Sequence, residues 1–96
     1  MTAVPELPTG RITVPAGVVR RSFGDDKVLL NLATGHYHGL NPTGGYMVAL
    51  LDQTGDAEET ARRTANELGV DLGRVRDDLA ALCEALHARG LITIEE

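Results

Sequence analysis

The chain has 96 residues, 43% of them hydrophobic, and a formal net charge of −5, a length that holds one compact core and not two. The acidic balance excludes a protein whose affinity comes from neutralising phosphates, so no nucleic acid partner is expected. An aromatic content of 3%, from Phe23, Tyr37 and Tyr46, excludes an aromatic-rich recognition surface.

Met1 to Gly10 carries Pro5, Pro8 and Gly10 with little apolar pattern, which predicts a flexible N-terminal segment over 1–16 and a folded domain over 17–96. The segment lacks the charged start and apolar run of a signal peptide, Cys83 has no partner for an internal disulfide, and no apolar run spans a bilayer. The expectation is a cytoplasmic protein with no membrane contact. Within the segment, Arg11 to Val14 reads as a short extended piece ended by Pro15. Gly17 to Phe23 is the first full strand, and Gly24-Asp25-Asp26 turns the chain.

Val28 to Leu32 is an apolar second strand, Thr34-Gly35 a turn that accepts positive φ, and His36 to Leu40 a third strand. A two-residue Thr34-Gly35 loop pairs Ala33 with His36, Leu32 with Tyr37 and Leu30 with Gly39. It puts Val28, Leu30, Leu32, Tyr37 and Gly39 on one face, which a bulged turn would reverse.

Asn41 as cap and Pro42 at the first position start a helix running to about Gln53. Its inward stripe is Tyr46, Leu50 and Leu51, with Met47 and Val48 flanking. The second helix opens on Asp56 with Glu59 three residues on, and its stripe of Ala57, Ala61, Ala65 and Leu68 ends at Gly69. The third opens on Asp71, with Val70 and Val75 at staple positions and Val75, Leu79, Leu82 and Leu86 on one face. Gly90 stops it, Leu91 packs back on Leu86, and Leu91 to Ile94 adds a short extended tail. Three strands followed by three helices predict an α+β domain with a three-stranded antiparallel sheet and winged helix-turn-helix-like proportions.

Chemistry is sparse in this pattern. His36 and His38 share a strand face, and Cys83 and His87 share a helix face, but an isolated buried cysteine accounts for Cys83. No metal site, no cofactor and no Cys/His nucleophile is assigned, and the protein is not expected to be an enzyme. Gly44-Gly45 lacks the flanking pattern of a phosphate loop. Arg62-Arg63 and the Arg74/Arg76 pair are interleaved with Glu58, Glu59, Glu67, Asp77 and Asp78, a solvated mixed-charge face. A DNA-reading third helix would bring Asp77 and Asp78 against phosphates. The remaining feature is the His36–Leu40 strand, which no later strand covers and which has no fixed charge. Such an edge accepts a peptide, the Arg11–Val14 piece, or a second copy of the chain.

From Val28-Leu29-Leu30-Asn31-Leu32 through Leu40-Asn41-Pro42-Thr43-Gly44, then a capped alanine-rich helix and the closing Leu86-His87-Ala88-Arg89-Gly90-Leu91-Ile92, the sequence resembles the PqqD-like family, the RiPP recognition elements. It is most similar to the stand-alone B1 proteins of lasso-peptide biosynthesis. The resemblance spans about Val18 to Ile92 and rests on the order and spacing of short motifs. It implies a non-catalytic domain that binds the leader of a ribosomally made precursor peptide and delivers it to a B2-type leader protease, with the cyclase as a further partner.

It also implies that the leader adds as an antiparallel strand to His36, Tyr37, His38, Gly39 and Leu40, in a cleft against the third helix. The implied walls are Tyr37, Gly39, Leu40, Val75, Leu79, Leu82 and Cys83, with Arg74 and Asp78 at the rim. Gly39 leaves space for an anchor, and the resemblance to lasso systems implies leader anchors of a Tyr and a Pro with a nearby Leu. Two other readings stay open: a winged-helix DNA-binding regulator, and a homodimeric adaptor paired through the same edge.

Overall fold

The computed structural model describes residues 6–96. Its elements run β1 (Arg11–Thr13), β2 (Val18–Phe23), β3 (Asp26–Asn31), β4 (Tyr37–Leu40), α1 (Pro42–Thr54), α2 (Ala57–Leu68), α3 (Leu72–Ala88) and β5 (Thr93–Glu95). β2, β3 and β4 form a three-stranded antiparallel sheet in that order. The three helices follow it, so the domain is α+β with a winged helix-turn-helix-like layout.

Each helix starts where a side chain takes up a free N–H of the first turn. Asn41 Oδ1 accepts from Gly44, Asp56 Oδ1 from Glu59 and Asp71 Oδ2 from Arg74, each cap contributing about 1 kcal/mol. α3 ends in a Schellman turn. Gly90, at φ 68°, donates its N–H to the His87 carbonyl, and Leu91 donates to Leu86. Leu86 and Leu91 are both fully buried beside that turn.

The strands and helices close on one core built from Val18, Leu29, Leu40, Met47, Val48, Leu51, Ala61, Val75, Leu79, Cys83, Leu86, Leu91 and Ile92, joined by Ile12. Three expected helix faces shift. In α1 Leu50 and Leu51 are buried as expected, Met47 and Val48 are buried with them alongside Gly44 and Gly45, and Tyr46 is only half-buried. In α2, Thr60 and Thr64 join Ala57 and Ala61 inside, and Leu68 is exposed. In α3, Cys83 takes the core position and Leu82 packs at its margin, while Val70, expected as a staple, is exposed.

The stretch at 11–13 is anchored, in contrast to the flexibility expected there. β1 pairs antiparallel with β5, placing Ile12 opposite Ile94. The Ile12 N–H donates to the Gly55 carbonyl at 2.9 Å, and its side chain is buried. Positions 1–5 of that expected segment lie outside the described residues.

The β3–β4 connection is longer than a two-residue turn. Leu30 faces Tyr37 and Val28 faces Gly39, so the register is offset by two residues from the expected one. Asn31 causes the offset. Its Oδ1 accepts from the N–H of Ala33 and of Thr34, its carbonyl accepts from Gly35, and Gly35 takes φ 77° to close the loop. An even offset preserves the faces. Val28, Leu30, Tyr37 and Gly39 share the outer face of the sheet, while Leu29 and Leu40 point into the core.

Candidate functional site: a strand edge facing a helix

β4 is the last strand of its sheet, and among the described residues no strand pairs with its other side. β1, the one segment of the chain expected to be able to cover it, is committed to β5. The Asn31 N–H donates to the His36 carbonyl, which sets the alternation of the ladder. His38 and Leu40 direct their backbone groups to β3, as His36 does its carbonyl while its N–H donates to the Thr34 hydroxyl, so Tyr37 and Gly39 direct theirs to the open edge. Side chains alternate the opposite way. His38 and Leu40 face the helices, and Tyr37 lies on the outer face, 65% exposed.

Beside this edge a groove of about 700 Å³ separates β4 from α3. It is lined by His38, Gly39, Leu40, Asn41, Thr43, Gly44, Met47, Val70, Arg74, Val75, Asp78, Ala81, Leu82 and Ala85. Its floor is apolar where Leu40, Met47, Val75 and Leu82 meet. Its rim is polar at Arg74 and Asp78, an i, i+4 ion pair at 3.9 Å. α3 thus carries two adjacent stripes. Val75, Leu79, Cys83 and Leu86 enter the core, and Arg74, Asp78, Ala81, Leu82 and Ala85 flank the groove.

Of the residues picked out from the sequence, His38, Gly39, Leu40, Arg74, Val75, Asp78 and Leu82 line this groove. His36 and Tyr37 line a shallower depression continuous with it, together with Gly35, His38, Gly39 and Arg89. Leu79 and Cys83 are fully buried behind the groove wall. Neither lines the groove, and Cys83 borders a separate small cavity beside Ala80, His87 and Ile94. Burial pushes the Cys83 thiol up to about 11, so it stays protonated and unreactive at neutral pH. Among the described residues no three His, Cys, Asp or Glu side chains gather as a metal site, and no helix is long and apolar enough to cross a membrane.

Sequence reasoning did not place Asn41, Thr43, Gly44, Val70, Met47, Ala81, Ala85 or Arg89 at the site. The signal was present for the last three. From Asp78 the series 78, 81, 85, 89 advances by three and four residues and keeps to one flank of α3. Met47 needed the fold, since its place depends on how α1 crosses under β4.

Two electrostatic features shape the site. Arg89 lies against His38, its guanidinium donating to Nδ1 of the ring. Burial, and secondarily the Arg89 charge, hold the His38 pKa below its ordinary value, so the ring is neutral at pH 7 and free to accept that bond. On the opposite flank, Arg76 pairs with Glu58 of α2. With Arg74 held by Asp78, both arginines near the start of α3 are committed to carboxylates, which leaves little cationic surface for a phosphate backbone.

The chain belongs to the PqqD family. The model of that family, described as coenzyme PQQ synthesis protein D, matches residues 26–92. Comparison with curated proteins finds no match. Among solved structures the chain is similar to TbiB1 in complex with the TbiA(beta) leader peptide, with 31% identity, a TM-score of 0.74, and coverage of 88% of this chain and 98% of that one. It is also similar in fold to a lasso peptide synthetase B1 complexed with the leader peptide, with 23% identity, a TM-score of 0.74, and coverage of 86% and 98%.

Proposed function

We propose that this protein recognises the leader region of a ribosomally synthesised precursor peptide, binding it as an added strand on β4 without catalysing a reaction. The observation that carries the reading is the backbone of Tyr37 and Gly39, left without a strand partner among the described residues, beside a groove with an apolar floor. The reading is supported by membership of the PqqD family and by similarity to a B1 protein whose structure holds a leader peptide.

Backbone bonds to Tyr37 and Gly39 set the register. Alternate leader side chains, those opposite His38 and Leu40, enter the groove and supply selectivity. The bound leader is then delivered to a leader protease, with a cyclase as a further client. Tethering raises the effective concentration of the cleavage site at the partner and needs no chemistry from this chain.

The test is fluorescence anisotropy of a labelled leader, taken from a precursor encoded beside this gene, against a scrambled leader. Saturable, sequence-dependent binding near or below micromolar is expected. The decisive variant is Gly39→Pro. Its N–H faces the open edge, so proline costs no bond to β3, and a Cβ at Gly39 meets nothing within 4 Å. The variant is expected to fold normally and to bind at least about tenfold more weakly, having lost a backbone donor. Full-strength binding by folded Gly39→Pro, or no leader binding by the wild type, overturns the reading. Steep salt dependence toward DNA, or a mass that rises with concentration, would favour the regulator or the paired adaptor.

A further inference from the structure

The two ends of the groove differ in charge. At the Arg74 end the cation is neutralised by Asp78 within the same helix. At the other end, the depression formed by Gly35, His36, Tyr37, His38, Gly39 and Arg89 contains no carboxylate, and Arg89 makes no ion pair among the described residues. Its guanidinium is held over the β4 edge by the bond to His38 Nδ1. A guanidinium keeps donors to spare when one is spent on a histidine. At this end of α3 the carbonyls of Leu86 and His87 accept from the N–H groups of Arg89, Gly90 and Leu91, and that of Gly90 accepts from Asn31. The formal charge facing this depression is that of the Arg89 side chain. In a chain of net charge −5, this is a local reversal of sign.

Strand direction says which ligand residue meets it. A peptide antiparallel to β4 that places one side chain opposite Leu40, over the apolar floor, places its second next side chain opposite His38 on the same face. We propose that the Arg89 end of the groove is a carboxylate-binding subsite, which receives an Asp or Glu of the bound peptide two residues C-terminal to the apolar side chain seated opposite Leu40. The proposal rests on the reading that a peptide pairs with β4, and it adds a chemical requirement to that peptide: apolar, any residue, acidic. Arg89 is then a specificity-determining residue.

The test is an array carrying every single substitution of the leader from a precursor encoded beside this gene, probed with wild type, Arg89→Gln, Arg89→Glu and Gly39→Pro. Thermal melts of each variant verify folding. Wild type is expected to prefer Asp or Glu over Lys by about three- to tenfold at one position, two residues after an apolar one, as befits a half-exposed charge-assisted pair. Arg89→Gln is expected to lose that preference and Arg89→Glu to invert it to Lys or Arg, with the other positions unchanged. Leader binding that Gly39→Pro abolishes but that shows the same preferences in wild type and Arg89→Glu overturns the subsite and leaves the strand-addition reading standing. Binding unaffected by Gly39→Pro, or none at all, overturns both.

Discussion

Asn31 fixes the height at which β4 meets the groove. Its Oδ1 accepts from Ala33 at 2.9 Å and Thr34 at 3.2 Å, and its Nδ2 donates to the Gly90 carbonyl at 3.1 Å, tying the hairpin loop to the end of α3. Asn31→Ala removes all three bonds and is expected to cost about 1–3 kcal/mol, read as a lower urea midpoint with an unchanged slope. Asn31 was legible only as a strand residue, because its partner at Gly90 lies far along the chain.

His38 carries a second residue-scale prediction. Burial first and the Arg89 charge second lower its pKa in the folded state. The unfolded chain takes up a proton there near pH 6.5, where the folded chain still resists it. Stability due to this group is therefore complete at neutral pH and declines as pH falls through the ordinary histidine range, the decline ending once the folded form is also protonated. His38→Asn keeps an acceptor near the Nδ1 position and does not titrate. Melting temperatures compared at pH 7.5 and 5.5 are expected to fall more for wild type than for His38→Asn, and equal falls would refute the assignment.

At the scale of elements, α3 shows why the groove and the core were hard to separate by periodicity. Its apolar residues cover two stripes one residue apart. The hydrophobic series read from the sequence merges Leu79 and Leu86, which are fully buried, with Leu82, which is partly buried and lines the groove, and it leaves out Cys83, which is fully buried. The stripes predict opposite outcomes. Ala85→Phe projects into the groove, so it is expected to leave the melting temperature within a few degrees and to weaken leader binding about tenfold or more by occupying the space a leader side chain needs. Leu79→Ala opens a cavity in the core at a cost of about 2–5 kcal/mol, visible in urea unfolding, while its effect on leader affinity measured well below the midpoint stays small.

At the largest scale, the first and last strands are brought together. β1 and β5 pair across the foot of the helices, with Ile12 opposite Ile94 and the Ile12 N–H on the Gly55 carbonyl. This small sheet brings Ile12 into the core and commits β1 to a partner other than β4. Ile12→Ala is expected to destabilise the domain by about 2–4 kcal/mol in urea unfolding. A change below about 0.5 kcal/mol, the usual size for a surface position, would mean that the segment does not belong to the fold.

Features that depend on neighbours within a few residues were legible from the residues alone. The three caps at Asn41, Asp56 and Asp71, the Schellman ending at Gly90, the order of strands before helices and the candidate edge at β4 all rest on local donors, acceptors and backbone angles. Only the tertiary structure decided the β3–β4 offset, the pairing of β1 with β5, and which stripe of α3 faces the groove. It also decided that Arg89 reaches His38 from the far end of α3. Those outcomes join segments tens of residues apart, and they follow from how the helices cross the sheet once the shared core of Leu29, Leu40, Val75 and Leu79 is filled.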